Sequence, residues 1–265
     1  MNTDDYRLIN RAAWNKRTEV HLQSEFYDVA GFLNGKSSLN SIELNLLPDL
    51  TNKKVLHLQC HFGQDSISLA RMGADVTGVD LSDKAIKAAQ DLNSRAGTSC
   101  KFICCDLYSL PDHLSETFDL VFTTYGTIGW LPDITQWAQL IHRFLKPGGQ
   151  LVFVEFHPVV WMFDDDFNTI TYRYFNSGEI RETYSGTYTN RESGIEYASV
   201  SWNHGLSEVI QNLINAGLNI EHFGEYDYSP YNCFANTEEF EKGKFRIQHL
   251  RDSIPMVYSI LASRM

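Results

Sequence analysis

Apolar and polar positions along residues 54–80 follow two periods in quick succession. Residues 54–59 alternate into a short β-rich apolar run, the pattern of a buried strand. A loop over 60–63 carries one glycine, and 64–72 then shows helical spacing at Ile67, Leu69 and Ala70. Gly73 stops that helix, and 75–79 reads as a second buried strand that ends in Asp80. The result is a βαβ unit whose second strand closes on a carboxylate roughly 20 residues after the first loop, the arrangement that holds an adenosine ribose by accepting from its diol.

The same alternation continues to the C-terminus. Ser82 is a good N-cap for an amphipathic helix over 83–95, closed by Gly97. Residues 100–105 and 118–124 read as the third and fourth strands; the third ends at Asp106, which either caps the following 107–110 segment or faces a ligand. A helix over 134–145 ends in Lys146-Pro147-Gly148-Gly149, where proline stops the helix and the glycines reverse the chain into a fifth strand over 150–156. Before this core, 4–34 carries aromatic and apolar residues at helical intervals, and 38–47 predicts a second helix that Pro48 breaks. After it, runs rich in Thr, Tyr, Ile and Val over 168–175, 179–188 and 195–202 predict an antiparallel insertion. A helix over 206–216, a strand over 219–226, a loop with a short helix over 229–244 and a last strand over 255–262 complete the chain.

Composition narrows the function. With 265 residues and 43% hydrophobic content the chain can bury a sizeable core. A formal net charge of -11 disfavours phosphate-backbone binding, so no nucleic-acid partner is expected. No apolar run reaches the roughly 20 residues that span a bilayer, and the polar start lacks a signal-peptide core, so no membrane association and a cytoplasmic location are expected. The cysteines, Cys60, Cys100, Cys104, Cys105 and Cys233, form no CxxC pair and read as reduced thiols. Asp164-Asp165-Asp166 cannot aim three carboxylates at one ion and reads as a solvated turn, so no metal is expected.

The run Val55-Leu56-His57-Leu58-Gln59-Cys60-His61-Phe62-Gly63, the acids at the ends of the second and third strands and the Lys-Pro-Gly-Gly turn together resemble a class I S-adenosylmethionine-dependent methyltransferase. The family's usual opening is Val-Leu-Asp-Leu-Gly-Cys-Gly-x-Gly, so here the acid and two of three glycines are replaced. The resemblance implies an α/β, Rossmann-like seven-stranded sheet, mostly parallel with an antiparallel last strand, plus an N-terminal helical lid and an antiparallel β insertion after strand five. It implies one domain: lid over 1–37, cofactor-binding core over 38–160, insertion over 161–203 and the rest of the sheet over 204–265. S-adenosylmethionine is the implied cofactor, with contacts from Gln59, Cys60, His61, Gly63, Asp80, Leu81, Asp106, Leu107 and Thr124. Tyr125, Trp130, Glu155 and the lid residue Trp14 are the implied substrate contacts, with His21 and Tyr27 as further lid residues near the pocket.

Methyl transfer to the O, N or S atom of a small-molecule acceptor is therefore the expected activity. His157, left at the sheet edge by Pro158, either takes the acceptor's proton or hydrogen-bonds its own turn. The aromatics of the insertion either roof a pocket, form a subunit interface or cover the sheet edge. Two rival readings are a non-catalytic S-adenosylmethionine-binding or interaction module, which His57, Gln59 and His61 motivate, and a nicotinamide-dependent oxidoreductase, which the missing second glycine disfavours.

Overall fold

A computed structural model describes residues 4–265, with side chains from Tyr6 onward. Three helices lead the chain: α1 (Asp4–His21), α2 (Val29–Leu33) and α3 (Ser41–Leu44). The core follows as β1 (Lys54–Leu58), α4 (Gln64–Arg71), β2 (Asp75–Asp80), α5 (Asp83–Ala96), β3 (Lys101–Cys104), β4 (Phe118–Thr124), α6 (Ile134–Phe144) and β5 (Leu145–Phe156). Then come β6 (Ile180–Ser185), β7 (Glu196–Ser201), α7 (Leu206–Asn215), β8 (Leu218–Tyr226), β9 (Thr237–Glu241), β10 (Lys244–Ile247) and β11 (Val257–Arg264).

Seven strands form one sheet in the order β3-β2-β1-β4-β5-β11-β8. Pairing is parallel from β3 through β5, and β11 runs antiparallel to both neighbours, as the sequence predicts. The central strands are buried on both faces, which is why they read as continuous apolar runs. One face packs Trp137, Ile141 and Phe144 of α6 onto Phe153 and Tyr258; the other packs Phe32, Phe62 and Ile67 onto Val55 and Phe122. Local signals set the boundaries. The Ser82 hydroxyl accepts from Ala85 N–H at 3.0 Å and Gly97 closes α5 at φ 67°. β5 begins at Leu145, earlier than the predicted 150, and takes in the Lys-Pro-Gly-Gly turn, where a Cβ on Gly149 would stand 2.9 Å from the Lys146 carbonyl oxygen, so only glycine fits.

Four further predicted segments differ. The 4–34 stretch breaks after α1, where Ser24 donates from both N–H and hydroxyl to the last free carbonyl, that of His21. The 38–47 helix is a single turn, α3. Residues 168–175 form no strand despite their β-rich composition: they fold back on residues 162–164 through a single antiparallel bridge, Phe163 with Ile170, and the hairpin is made by β6 and β7 alone. In place of a short helix in 229–244, Thr237–Glu241 pairs with Lys244–Ile247 as a hairpin around Gly243, which sits at φ 72°.

The insertion and the leading helix fasten to each other. Asn10 of α1 donates to the Val200 carbonyl at 2.8 Å and accepts from Val200 N–H at 2.9 Å, so one amide side chain satisfies the open edge of β7. Lys16 donates to the Glu196 carbonyl at 2.7 Å and Arg17 to the Tyr197 hydroxyl at 2.7 Å. Together α1 and β7 lie across the carboxyl edge of the parallel strands.

Candidate active site

Beneath that cover is a cavity of about 960 Å³ at the carboxyl ends of β1, β2 and β4, the place where open α/β sheets take ligands. Its floor is the loop after β1. Gln59 and His61, which stand where the resembled pattern has glycine, hold φ of 53° and 49°, and Gly63 holds 79°. The loop thus keeps left-handed backbone at all three positions, at a cost of about 1–3 kcal/mol for each side-chain-bearing residue. A Cβ on Gly63 would also meet the Phe102 ring at 2.8 Å.

Two acids of the predicted site have most of their oxygens committed to main chain. Asp80 accepts from His61 N–H and Ser82 N–H, both at 2.8 Å, and burial pushes its carboxyl up to about 6. Glu155 is 2% exposed and accepts from the backbone N–H groups of Gly126, Thr127, Ile128 and Phe156 and from the Thr127 hydroxyl. It therefore shapes the turn after β4 and lines the cavity without a free oxygen to spare. Asp106 caps its 3-10 turn through Tyr108 N–H at 3.0 Å and lies 3.4 Å from Arg7, so the capping role and a cavity-facing position coexist.

Around the loop, several buried polar atoms lack partners. Gln59 donates to the Thr127 carbonyl at 2.8 Å and leaves its Oε1 bare; His61 meets His21 across a 2.9 Å contact between ring nitrogens and leaves its Nδ1 bare. Burial holds both imidazoles well below 6.5, His21 at about 2 and His61 at about 3, so the pair shares neutral hydrogen bonding. Arg17 is 8% exposed, its guanidinium lies 4.9, 5.2 and 4.6 Å from the Trp14, Trp130 and Tyr197 rings, and its Nε has no partner. Among the described residues no carboxylate pairs with it.

The cavity brings together Trp14, Gln59, Cys60, His61, Gly63, Asp80, Leu81, Asp106, Leu107, Thr124, Tyr125, Trp130 and Glu155. His157 is not among its lining residues. It is 3% exposed, with Nε2 against Glu225 of β8 at 2.9 Å and Nδ1 accepting from Val159 N–H at 3.2 Å, so one ring nitrogen serves the turn at Pro158 and the other ties it to β8. Tyr172, Tyr184, Tyr188, Tyr197 and Trp202 of the insertion do line the cavity, and Tyr174 and Phe175 do not.

Arg17, Asp65, Glu43 and Tyr231 escaped the sequence reading. Tyr125, at φ 48°, donates to Glu43 at 2.7 Å, and Asn40 bridges Glu43 to the Tyr231 hydroxyl. Asp65 lies 3.4 Å from the Thr124 hydroxyl. Only Asp65 left a trace in the sequence, as a polar residue in the first turn after the glycine loop.

Residues 55–149 match the family model described as a methyltransferase domain. The chain is 30% identical over 136 residues, half of its length, to a ubiquinone biosynthesis O-methyltransferase of Idiomarina loihiensis, and it covers 56% of that protein. It spans about half the length of the curated relatives of this kind that it matches. A longer match, 27% identical over 232 residues, covers 80% of this chain and 87% of an uncharacterized protein of Haemophilus influenzae. Among solved structures, an S-adenosylmethionine-dependent methyltransferase from Mesorhizobium loti superposes with a TM-score of 0.58 at 20% identity, over 88% of this chain and all of the other, a likeness of fold.

Proposed function

With a methyltransferase domain over residues 55–149, set in the class I S-adenosylmethionine-dependent methyltransferase fold, we propose that the chain is an enzyme that moves a methyl group from that cofactor to a small-molecule acceptor. The observation that carries this reading is the retained left-handed loop at Gln59, His61 and Gly63 over an open cavity with orphaned polar atoms. A degenerate copy has no reason to hold two strained non-glycine residues around an empty volume, because strain persists only where the surroundings enforce it.

The residues fit the cofactor by charge and hydrogen bonding. Arg17 supplies an unpaired cation for the methionine carboxylate, and Gln59 Oε1 is an acceptor for its ammonium group. Asp80 retains lone pairs for the ribose diol beyond the two N–H bonds it accepts. Asp106 faces the adenine, with Leu81 and Leu107 as apolar contacts. When bound, the cofactor supplies a methyl group already activated on a sulfonium. The protein's part is then alignment and exclusion of water, which the roof of Trp14, Trp130 and Tyr197 provides. We place the enzyme in the cytoplasm, acting on a free small molecule and not on nucleic acid, which its net charge of -11 supports.

Calorimetry with S-adenosylhomocysteine tests the reading, and absence of binding at millimolar ligand would sink it. The Arg17→Met variant should bind S-adenosylhomocysteine about tenfold or more weakly, since a charge-assisted bond contributes about 1.5–3 kcal/mol. Its affinity for 5′-methylthioadenosine, which lacks the amino-acid tail, should stay unchanged; equal losses for both ligands would remove Arg17 from that role.

A further inference from the structure

Near Thr124 stand two acids without an ion-pair partner, Glu43 behind Tyr125 and Asp65 in the cavity wall. Glu43 of α3 is fully buried, and Asp65 of α4 lines the cavity. Among the described residues neither has a Lys or Arg within ion-pair distance. Glu43 is satisfied by Asn40 N–H, the Asn40 amide and the Tyr125 hydroxyl. Asp65 is different: it accepts only from hydroxyls, those of Thr124 at 3.4 Å and of Ser38. Both weak contacts leave most of a carboxylate's acceptor capacity, about four lone-pair sites, open.

The walls around Asp65 are aromatic. Tyr125 and Tyr231 stand 5.0 Å apart, Phe26 stacks on Tyr231 at 5.6 Å, and the Tyr27 and Tyr188 hydroxyls meet at 2.5 Å. Burial first, and then Tyr188 for Tyr27, Glu43 for Tyr125 and the Asp65 charge for Tyr231, drives these hydroxyls well above 10, so the rings stay neutral. Of the cations lining the cavity, Arg17 is the one assigned above to the methionine carboxylate, Lys36 pairs with Asp28, and Arg191, like the other two, forms no ion pair with Asp65 among the described residues.

We propose that this compartment takes a protonated amine as the methyl acceptor, with Asp65 as the counter-charge to its ammonium group and the acceptor of its proton. The inference rests on the methyl-transfer reading above and names the substrate class of that site. Once a ligand closes over it, a carboxylate without a cation costs several kcal/mol, which an alcohol or thiol cannot offset and an ammonium group can. The tyrosine and phenylalanine faces add cation–π attraction to the same charge. For activation, one ammonium N–H bond breaks, its electron pair stays on nitrogen as the attacking lone pair, and the proton forms an O–H bond on Asp65. Both partners become neutral. Burial favours that direction: it lifts the Asp65 carboxyl to about 6, and the same desolvation lowers an ammonium group beside it. Glu43 is a positioning residue, fixing Tyr125 and, through Asn40, Tyr231.

The test is calorimetry on the S-adenosylhomocysteine-loaded protein with a series of amines, from methylamine through dimethylamine to phenethylamine, each against its matched neutral alcohol. At least one amine should bind tenfold or more tightly than its alcohol. In Asp65→Asn that preference should vanish while S-adenosylhomocysteine affinity is kept, which also shows that the variant is folded. Binding of S-adenosylhomocysteine with no amine preferred overturns this inference and leaves the methyl-transfer reading standing. Loss of S-adenosylhomocysteine affinity in Asp65→Asn, with the amine preference intact, overturns it too, by moving Asp65 to the cofactor's own ammonium. Failure of S-adenosylhomocysteine to bind the wild-type protein overturns both.

Discussion

Asp80 and Asp65 are half-buried carboxylates in one cavity, both lifted to about 6 by desolvation, yet their partners differ in kind. Asp80 accepts from two main-chain N–H groups, as Glu155 does from four, and so each acid holds a loop in shape. Asp65, in the first turn of α4, accepts from the Thr124 and Ser38 hydroxyls and ties down no loop. A carboxylate tied to backbone is part of the architecture, whereas one left to hydroxyls is available to a ligand. The same pKa direction thus accompanies opposite roles, and hydrogen-bond partners tell them apart where burial cannot.

Three measurements press on this contrast. Glu155→Gln should destabilise most: the amide turns a donor toward backbone N–H groups, and losing two charge-assisted bonds should remove about 3 kcal/mol or more from the urea-derived unfolding free energy. A variant as stable as wild type would break the contrast outright. Asp80→Ala should weaken S-adenosylhomocysteine about 100-fold, the equivalent of about 3 kcal/mol, with a smaller loss of stability from the freed His61 and Ser82 N–H groups. If stability fell as far as in Glu155→Gln while affinity held, Asp80 would be architectural only.

The smallest effect concerns pH. His57, fully enclosed beside Ser66, is held by burial at about 3 against 6.5 when unfolded. Below pH 6.5 the unfolded chain binds a proton that the folded chain refuses, so stability is full above 6.5 and falls as pH drops toward 3. Each such histidine contributes at most about 1.4 kcal/mol per pH unit. Asp65 and Asp80 work oppositely: their raised values let the folded chain bind protons first, so they add stability as pH falls through 6 toward 3.8. Glu43, lifted by burial to about 7, opposes the histidines in the same way from pH 7 downward, and His57→Asn should lessen the loss of Tm as pH falls below 6.5. An unchanged slope would show that His57 titrates normally in the fold.

The sequence by itself determined the sheet, its order of elements and most of their ends, because these follow from periodicity and from residues whose effect is local. Gly97 needs only its own φ, Ser82 only the next turn, and Lys-Pro-Gly-Gly only the two elements it joins. It also placed Asp80, Asp106, Tyr125 and Trp130 at one edge, since strand ends fix where such residues stand. Which acids were free and which were committed was decided only in three dimensions. Tyr125 reaches Glu43 across 82 positions and Asn10 reaches Val200 across 190, and no local pattern encodes partners that far apart. His157 shows the reverse case: its place at the strand end was legible, but Glu225, 68 positions away on β8, turned its ring from the cavity. Gln59 and His61 looked like the loss of a glycine loop, yet the fold keeps that loop's backbone, because packing from α1, Thr127 and Asp80 outweighs the modest cost of a left-handed side-chain-bearing residue.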